Sequence, residues 1–453
     1  MSESAAAGPP SRLTVWSYGA LALPLSTIGL PLTIYLAPFY ASEVGLPLAA
    51  LGNAIVLARL LDLLVDPVIG AASDRWRSPF GRRKPWIVIG AAVLIFGMWR
   101  LFHPPESTTL WTFLFWLGVM YAGFSLINVP YRAWGAELSP YYHERTRIAA
   151  VRQFFSTFGL IVSTLAPAIV LSRPGATGGD VLATLSLMMT ILLPLVAIAT
   201  LTLAPEGKIQ VSAAPATRTD WRTGLRAVRR NQPLRTILLV LFIGFAAETF
   251  RQTLTVFYAR DVVGVPNLGL VYVYYFVSAF VGVPFWRFVA RRTSKHQALC
   301  LGMVVAIGTN LGIFLLGPGD ALPFTVLFTI KGFCFGALDL LPSAMVADAA
   351  DVDLAVSRQR RTGFLFAVAG VVTNLGQAVG QGLSLNALSW VGYAATGETD
   401  PQALLALRTL YALAPSALLG IAMAIALGYG LSAERHDRIR AALQRRAARE
   451  ADQ

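Results

Sequence analysis

The chain is 453 residues long, 55% hydrophobic and only 13% charged, with a mean hydropathy of +0.60. A water-soluble domain carries about a quarter charged residues, so most of this chain faces something other than water. The net charge of +13 would raise the question of nucleic acid in a soluble protein. Here the basic residues collect in particular loops, which makes them topological signals and argues against a nucleic-acid partner.

A membrane-crossing helix needs about twenty apolar residues, whereas barrel strands are short and alternating. The runs here are long and continuous, so the expected fold class is an all-α integral membrane protein whose spans satisfy their own backbone hydrogen bonds. No basic region and cleavage site open the chain, and the first apolar run is too long for a signal peptide, so no leader is expected to be removed. Spans 1–6 are expected near 15–40, 47–73, 85–103, 110–137, 148–172 and 181–204. A polar stretch from Pro205 to Pro233 follows. Spans 7–12 are expected near 234–260, 268–290, 297–317, 322–347, 363–392 and 405–430. This predicts a six-helix bundle over 1–204, a cytoplasmic linker over 205–233, a second six-helix bundle over 234–431 and a basic cytoplasmic tail over 432–453.

Lys and Arg set orientation, because cytoplasmic loops carry the excess. Arg75, Arg77, Arg82, Arg83 and Lys84 follow span 2, and Arg145 and Arg147 follow span 4. Arg291, Arg292 and Lys295 follow span 8, and Arg358, Arg360 and Arg361 follow span 10. The linker and tail are also basic, while Arg173 and Arg260 are the exceptions on the opposite side. Both termini are therefore expected in the cytoplasm. The basic loop after span 2 has a counterpart after span 8, and the acid–Arg pattern ending span 4 has one ending span 10. Two six-helix repeats of one orientation are expected to rock about a central cavity. The stretch Trp221 to Arg230 reads as a basic amphipathic helix, either on the inner membrane surface or a solvated charged segment. Cys300 and Cys334 lie in apolar runs at no metal-ligand spacing and read as buried thiols.

Ionisable residues inside spans are functional candidates because their burial is costly. Span 2 places Arg59, Asp62 and Asp66 on one helix face. Two carboxylates one turn apart repel, and a cation or proton relieves that. The alternative is a structural salt bridge to Arg59. Span 4 offers Ser125, Asn128, Tyr131 and Arg132. In span 7, Glu248 and Arg251 either line a cavity or neutralise each other. Span 10 carries Lys331 and Asp339, whose faces differ. Span 11 carries a stripe of Asn374, Gln377 and Gln381, read as a cavity wall or as amides bonding neighbouring helices. No nucleotide loop or metalloprotease motif occurs, so neither enzymatic activity nor a cofactor is expected.

The run Asp62-(x3)-Asp66-Pro67-Val-Ile-Gly70-(x3)-Asp74-Arg75-(x5)-Gly81-Arg82-Arg83-Lys84-Pro85-Trp86 resembles a signature of the glycoside–pentoside–hexuronide:cation symporters, within the major facilitator superfamily. Asn128-Val129-Pro130-Tyr131, followed by Glu144-Arg145-Thr146-Arg147 and Arg152, is a second match. Leu341-Pro342-Ser343-Ala344-Met345-Val346-Ala347-Asp348, continuing through Asp351 and Asp353 to Arg360-Arg361-Thr362-Gly363, is a third. The resemblance implies twelve spans in two pseudo-symmetric six-helix bundles. It assigns cation coupling to Asp62, Asp66 and Ser125, a sugar-site arginine to Arg152, and a cytoplasmic gate to Asp74, Arg75, Arg82, Glu137, Arg145, Asp348 and Arg360. The chain departs from melibiose permease where an amide cation ligand becomes Val65, two sugar-binding acids become Ser26 and Asn128, and a helix-11 lysine becomes Asn374, with Lys331 available to replace its charge. These departures argue against galactoside recognition and favour a proton over sodium.

The expectation is thus a secondary transporter of the bacterial inner membrane, a monomer, coupling H+ or Na+ to symport of a sugar, glycoside or related small molecule. The expected substrate contacts are Asn128, Arg132, Arg152, Glu248, Lys331, Asn374 and Gln377. Rival readings are a lysophospholipid or amphiphile transporter of the same fold, an exporter or facilitator, and a non-transporting membrane receptor.

Overall fold

The computed structural model describes the chain apart from residues 1–9, 77, 140–141, 207–220, 358–360, 396–399, 432–433, 440, 443–444 and 446–453. The side chains of 136, 142–143, 145–146, 221–223 and 225 also lie outside the described set. Twelve helices among the described residues are long and apolar enough to cross a membrane. Spans 1–6 are Arg12–Ser42, Leu48–Arg75, Lys84–Phe102, Leu110–Gly135, Arg147–Val170 and Gly178–Leu203. Spans 7–12 are Gln232–Val263, Leu268–Arg292, Lys295–Phe314, Ala321–Ser357, Thr362–Trp390 and Pro401–Leu427.

Short polar residues mark where many of these helices begin. The side chains of Ser11, Thr109, Thr177, Asn231, Asn267, Ser294 and Asp400 each accept a backbone N–H from the first turn of spans 1, 4, 6, 7, 8, 9 and 12. These caps satisfy donors that would otherwise be orphaned. Spans 1 and 7 each contain one π-helical turn, at Leu32–Leu36 and Ala259–Val263.

The chain divides into two compact units, Met1–Pro215 and Ala216–Gln453. In the first, span 1 packs on spans 5 and 6, span 3 on spans 4 and 6, and span 2 on span 4. In the second, span 7 packs on spans 11 and 12, span 9 on spans 10 and 12, and span 8 on span 10. Adding six to each number of the first set gives the second, so the halves repeat one pairing scheme. Small residues allow the closest approaches. A Cβ at Gly123 of span 4 would meet the backbone of Leu94, and one at Gly380 of span 11 would meet the carbonyl of Ala246 in span 7. Large apolar side chains such as Leu64, Ile169, Leu195 and Phe280 are exposed on the bundle surfaces, as lipid contact requires.

The helix Trp221–Arg230 forms where the sequence places an amphipathic segment. It packs on spans 7 and 11; Gly224 lies against Phe364 and Ala227 is buried. Arg226, Arg229 and Arg230 stay exposed. One face of this helix is thus committed to the second unit.

Candidate functional site

Within the first unit, spans 2 and 4 pack together and bring the paired acids against a hydroxyl. Ser125 Oγ donates to Asp62 Oδ1 at 2.9 Å. Asp66 Oδ1 is buried and accepts no hydrogen bond among the described residues. The guanidinium of Arg59 lies over the Tyr121 ring at 4.8 Å, and its buried Nε has no described acceptor. The Arg59 salt bridge, the alternative reading of this face, is not among the described ion pairs. Asp62 and Asp66 thus form an acidic pair with one hydroxyl and one unmet acceptor. No group of three or more His, Cys, Asp or Glu that could hold a metal ion is found among the described residues.

Tyr18 and Tyr131 lock spans 1 and 4 by donating to each other's carbonyl oxygens, at 3.0 and 2.9 Å. Around them, Arg132 lies within electrostatic reach of Arg152, Asp66, Tyr18 and Tyr131. Arg132 is exposed, whereas Arg152 and Asn128 are half-buried. Ser26 shares a 2.6 Å hydrogen bond with Ser156, joining spans 1 and 5 where the resemblance has an acid. The structure therefore brings Asp66, Arg132 and Arg152 to one region of this unit.

The candidates of the second unit are placed differently. Glu248 and Lys331 are 8% and 1% exposed and lie inside the bundle. Arg251 Nη2 donates to Glu248 at 2.5 Å, so the two members of span 7 do pair. Lys331 Nζ is 3.6 Å from Glu248 and donates to Asn310 Oδ1 at 2.6 Å. Sequence reading missed Asn310, although an amide deep in the apolar run of span 9 was the available signal. The span 11 stripe passes from exposed Asn374 through half-buried Gln377 to buried Gln381.

The cytoplasmic-gate candidates form clusters within each unit. In the first, Arg82 and Arg83 donate to Glu137 at 2.5 and 2.7 Å, and Arg83 also reaches Asp74 at 2.6 Å and Ser73 at 2.8 Å. Burial works against the Arg83 charge, but Glu137 and Asp74 outweigh it and hold the guanidinium protonated. The Glu206 carboxylate accepts the backbone N–H groups of Arg82, Arg83 and Lys84 at 2.5, 2.8 and 2.7 Å, a charged cap on span 3. In the second unit, Lys295 donates to both oxygens of Asp348 at 2.7 and 2.6 Å, and His436 contacts Asp351 at 3.1 Å. Arg75 is exposed; the side chain of Arg145 and all of Arg360 lie outside the described residues. Arg83, Glu206, Lys295 and His436 were not candidates from sequence. Glu206 and His436 come from segments distant in the chain from the acids and loops they serve.

A family profile described as MFS/sugar transport protein matches residues 17–433. The isoprimeverose transporter of Lactiplantibacillus pentosus is 25% identical, over 88% of this chain and 82% of its own length. The glucuronide carrier protein homolog of Escherichia coli (strain K12) is 24% identical, over 88% of each. A sodium-dependent lysophosphatidylcholine symporter, 1-A, of Danio rerio is 22% identical over 94% of this chain and 87% of its own. Among solved structures, a bacterial homolog of the human lysosomal transporter Spinster, inward-facing and unoccupied, superposes with a TM-score of 0.72 at 14% identity. That match covers 92% of this chain and 97% of the other, and it speaks to the fold. The chain belongs to the MFS/sugar transport protein family, in the glycoside–pentoside–hexuronide:cation symporter group of the major facilitator superfamily, and is a multi-pass membrane transporter, not an enzyme.

Proposed function

We propose that this transporter couples uptake of a sugar, glycoside or related small molecule to entry of a cation, by alternating access, in the bacterial inner membrane with both termini cytoplasmic. The observation that carries this reading is the acidic pair of span 2, with Ser125 donating to Asp62 and Asp66 Oδ1 left without a described partner. Bringing a cation or proton to that pair neutralises mutual repulsion and favours the state that binds substrate. A proton is the preferred coupling ion: it needs one carboxylate, whereas sodium would draw on a small oxygen set in which Val65 replaces an amide. Asn128, Arg132 and Arg152 are the proposed substrate contacts of the first unit, and Asn374 and Gln377 those of the second.

The test is uptake by proteoliposomes with an imposed proton or sodium gradient, across a panel of glycosides, uronates and lysolipids. A substrate accumulated above its external concentration only with a gradient supports symport and names both ion and cargo. Asp62→Asn and Asp66→Asn are expected to insert normally, to lose uphill accumulation at least tenfold, and to keep substrate exchange. Full accumulation by both variants would sink the coupling assignment. Accumulation of lysolipids but not glycosides would move the cargo to amphiphiles.

A further inference from the structure

In the second unit, one carboxylate is shared by two buried cations. Arg251 holds Glu248 through Nη2 at 2.5 Å and Nε at 3.4 Å. Lys331 approaches the same carboxylate to 3.6 Å. Gln252 and Tyr275 also donate to Glu248, at 3.1 and 3.3 Å. Arg251 reaches the Tyr411 hydroxyl of span 12 at 3.2 Å and lies over the Phe328 ring at 5.0 Å. On span 10 the neighbouring ionisable group is the Cys334 thiol, and span 11 (Thr362–Trp390) carries no ionisable side chain. Glu248 also borders a small cleft shared with Asp339, Phe245 and Met303. Asp339 has no described ion pair to either cation.

With Glu248, Arg251 and Lys331 all ionised, the cluster keeps one uncompensated positive charge at 8%, 0% and 1% exposure. Such a charge is expensive in a bundle interior. Hydrogen-bond supply points the same way. An ammonium offers three donors, yet the described side-chain hydrogen bond of Lys331 is to Asn310 Oδ1 at 2.6 Å, and Lys331 stays 3.6 Å from Glu248 Oε2, which Arg251 Nε also approaches, at 3.4 Å. The Asn310 Nδ2 donor is buried without a described acceptor. Removing one proton from Lys331 removes the uncompensated charge and leaves it one fewer donor to satisfy. An arginine does not give up its proton, whereas a buried lysine does so readily.

We infer that Lys331, Glu248 and Arg251 form a second proton-binding centre, in the C-terminal half and separate from Asp62 and Asp66, where Lys331 takes up and releases the proton. Arg251 keeps Glu248 paired when Lys331 is neutral, and the cleft beside Glu248 and Asp339 is the proton's way in.

The test is thermal unfolding of the full-length purified protein across pH, which needs no substrate. In an unfolded chain a lysine stays protonated to about pH 10. A folded state that sheds this proton earlier binds fewer protons, so its stability rises with pH over that window. Wild type is therefore expected to gain several degrees in Tm relative to Lys331→Met as pH rises. Lys331→Arg, permanently charged, should lie below wild type and lack the gain. Parallel pH profiles for wild type and Lys331→Met would overturn the inference. Should Lys331→Met fail to fold, Glu248→Gln serves instead: it leaves two cations without an acid and is expected to enlarge the gain by starting it at lower pH, and an unchanged profile would count against the centre. The Lys331-dependent gain is expected to persist in Asp66→Asn, so failure here and failure of the coupling assignment at Asp66 are told apart.

Discussion

Ser125 is the residue at which the two proposed coupling ions can be told apart. Its hydroxyl donates to Asp62 at 2.9 Å, and a hydrogen bond to a charged group contributes about 1.5–3 kcal/mol. For sodium, the hydroxyl oxygen is a ligand. Ser125→Ala is then expected to raise the sodium concentration for half-maximal uptake by about tenfold, since 1.4 kcal/mol is a factor of ten. For a proton, the hydroxyl is only a neighbour, and activation at low pH should survive the same substitution. Ion titrations of uptake with this one variant separate the cases. Much of this site was legible in the chain, because Arg59, Asp62 and Asp66 share one helix face by spacing alone. Glu248 and Arg251 were legible as a pair for the same reason. Lys331 was not legible as their third member: its partners come from spans 7 and 9, and only packing brings three helices to one point.

At the scale of the element, the start of span 3 shows how a distant residue supports a local structure. Residues 82–84 open their helix onto the Glu206 carboxylate, which follows span 6. Gly81 takes a positive φ of 109°, which favours glycine there, and a Cβ at that position would also push against the Glu206 carboxylate. Glu206→Ala is expected to cost about 1–2 kcal/mol of stability, as loss of a helix cap does, and to loosen the cluster of Arg82, Arg83, Asp74 and Glu137. Thermal unfolding of the purified variant measures this, and an unchanged Tm would show that the cap contributes nothing. The spans themselves were readable as apolar runs, and the caps at their starts came only with the structure. The linker helix was readable as amphipathic, but not its docking on spans 7 and 11, which depends on the small Gly224 and Ala227 meeting a surface formed by other helices.

For the whole molecule, the charge pattern of the loops makes a topological prediction that the native cysteines leave clean. Cys300 and Cys334 are 7% and 0% exposed, so a membrane-impermeant thiol reagent should find little background. Phe80→Cys, in the exposed turn after span 2, is expected to be labelled only after the cytoplasmic side is opened. Ser107→Cys, in the loop after span 3, should be labelled in intact cells. The reverse pattern would invert the assigned orientation. The six-plus-six organisation was visible as runs and a polar interruption. That both halves use one helix-pairing scheme was only hinted at by the matching loop motifs, since pairing is a property of surfaces and not of intervals along the chain.

The π-helical turns of spans 1 and 7 carry a consequence for how such chains tolerate length changes. Removing a residue from an α-helix turns everything beyond it by about 100°, which would swing a packed face into lipid. A π turn already stores a surplus residue. Excising one residue from Leu32–Leu36 or Ala259–Val263 is therefore expected to relax the helix to ordinary winding and leave the preceding face in register. The same deletion in the middle of span 3 should abolish membrane expression. The two first helices of the halves thus hold the places where indels are absorbed, and yields of a single-residue deletion scan would map them directly.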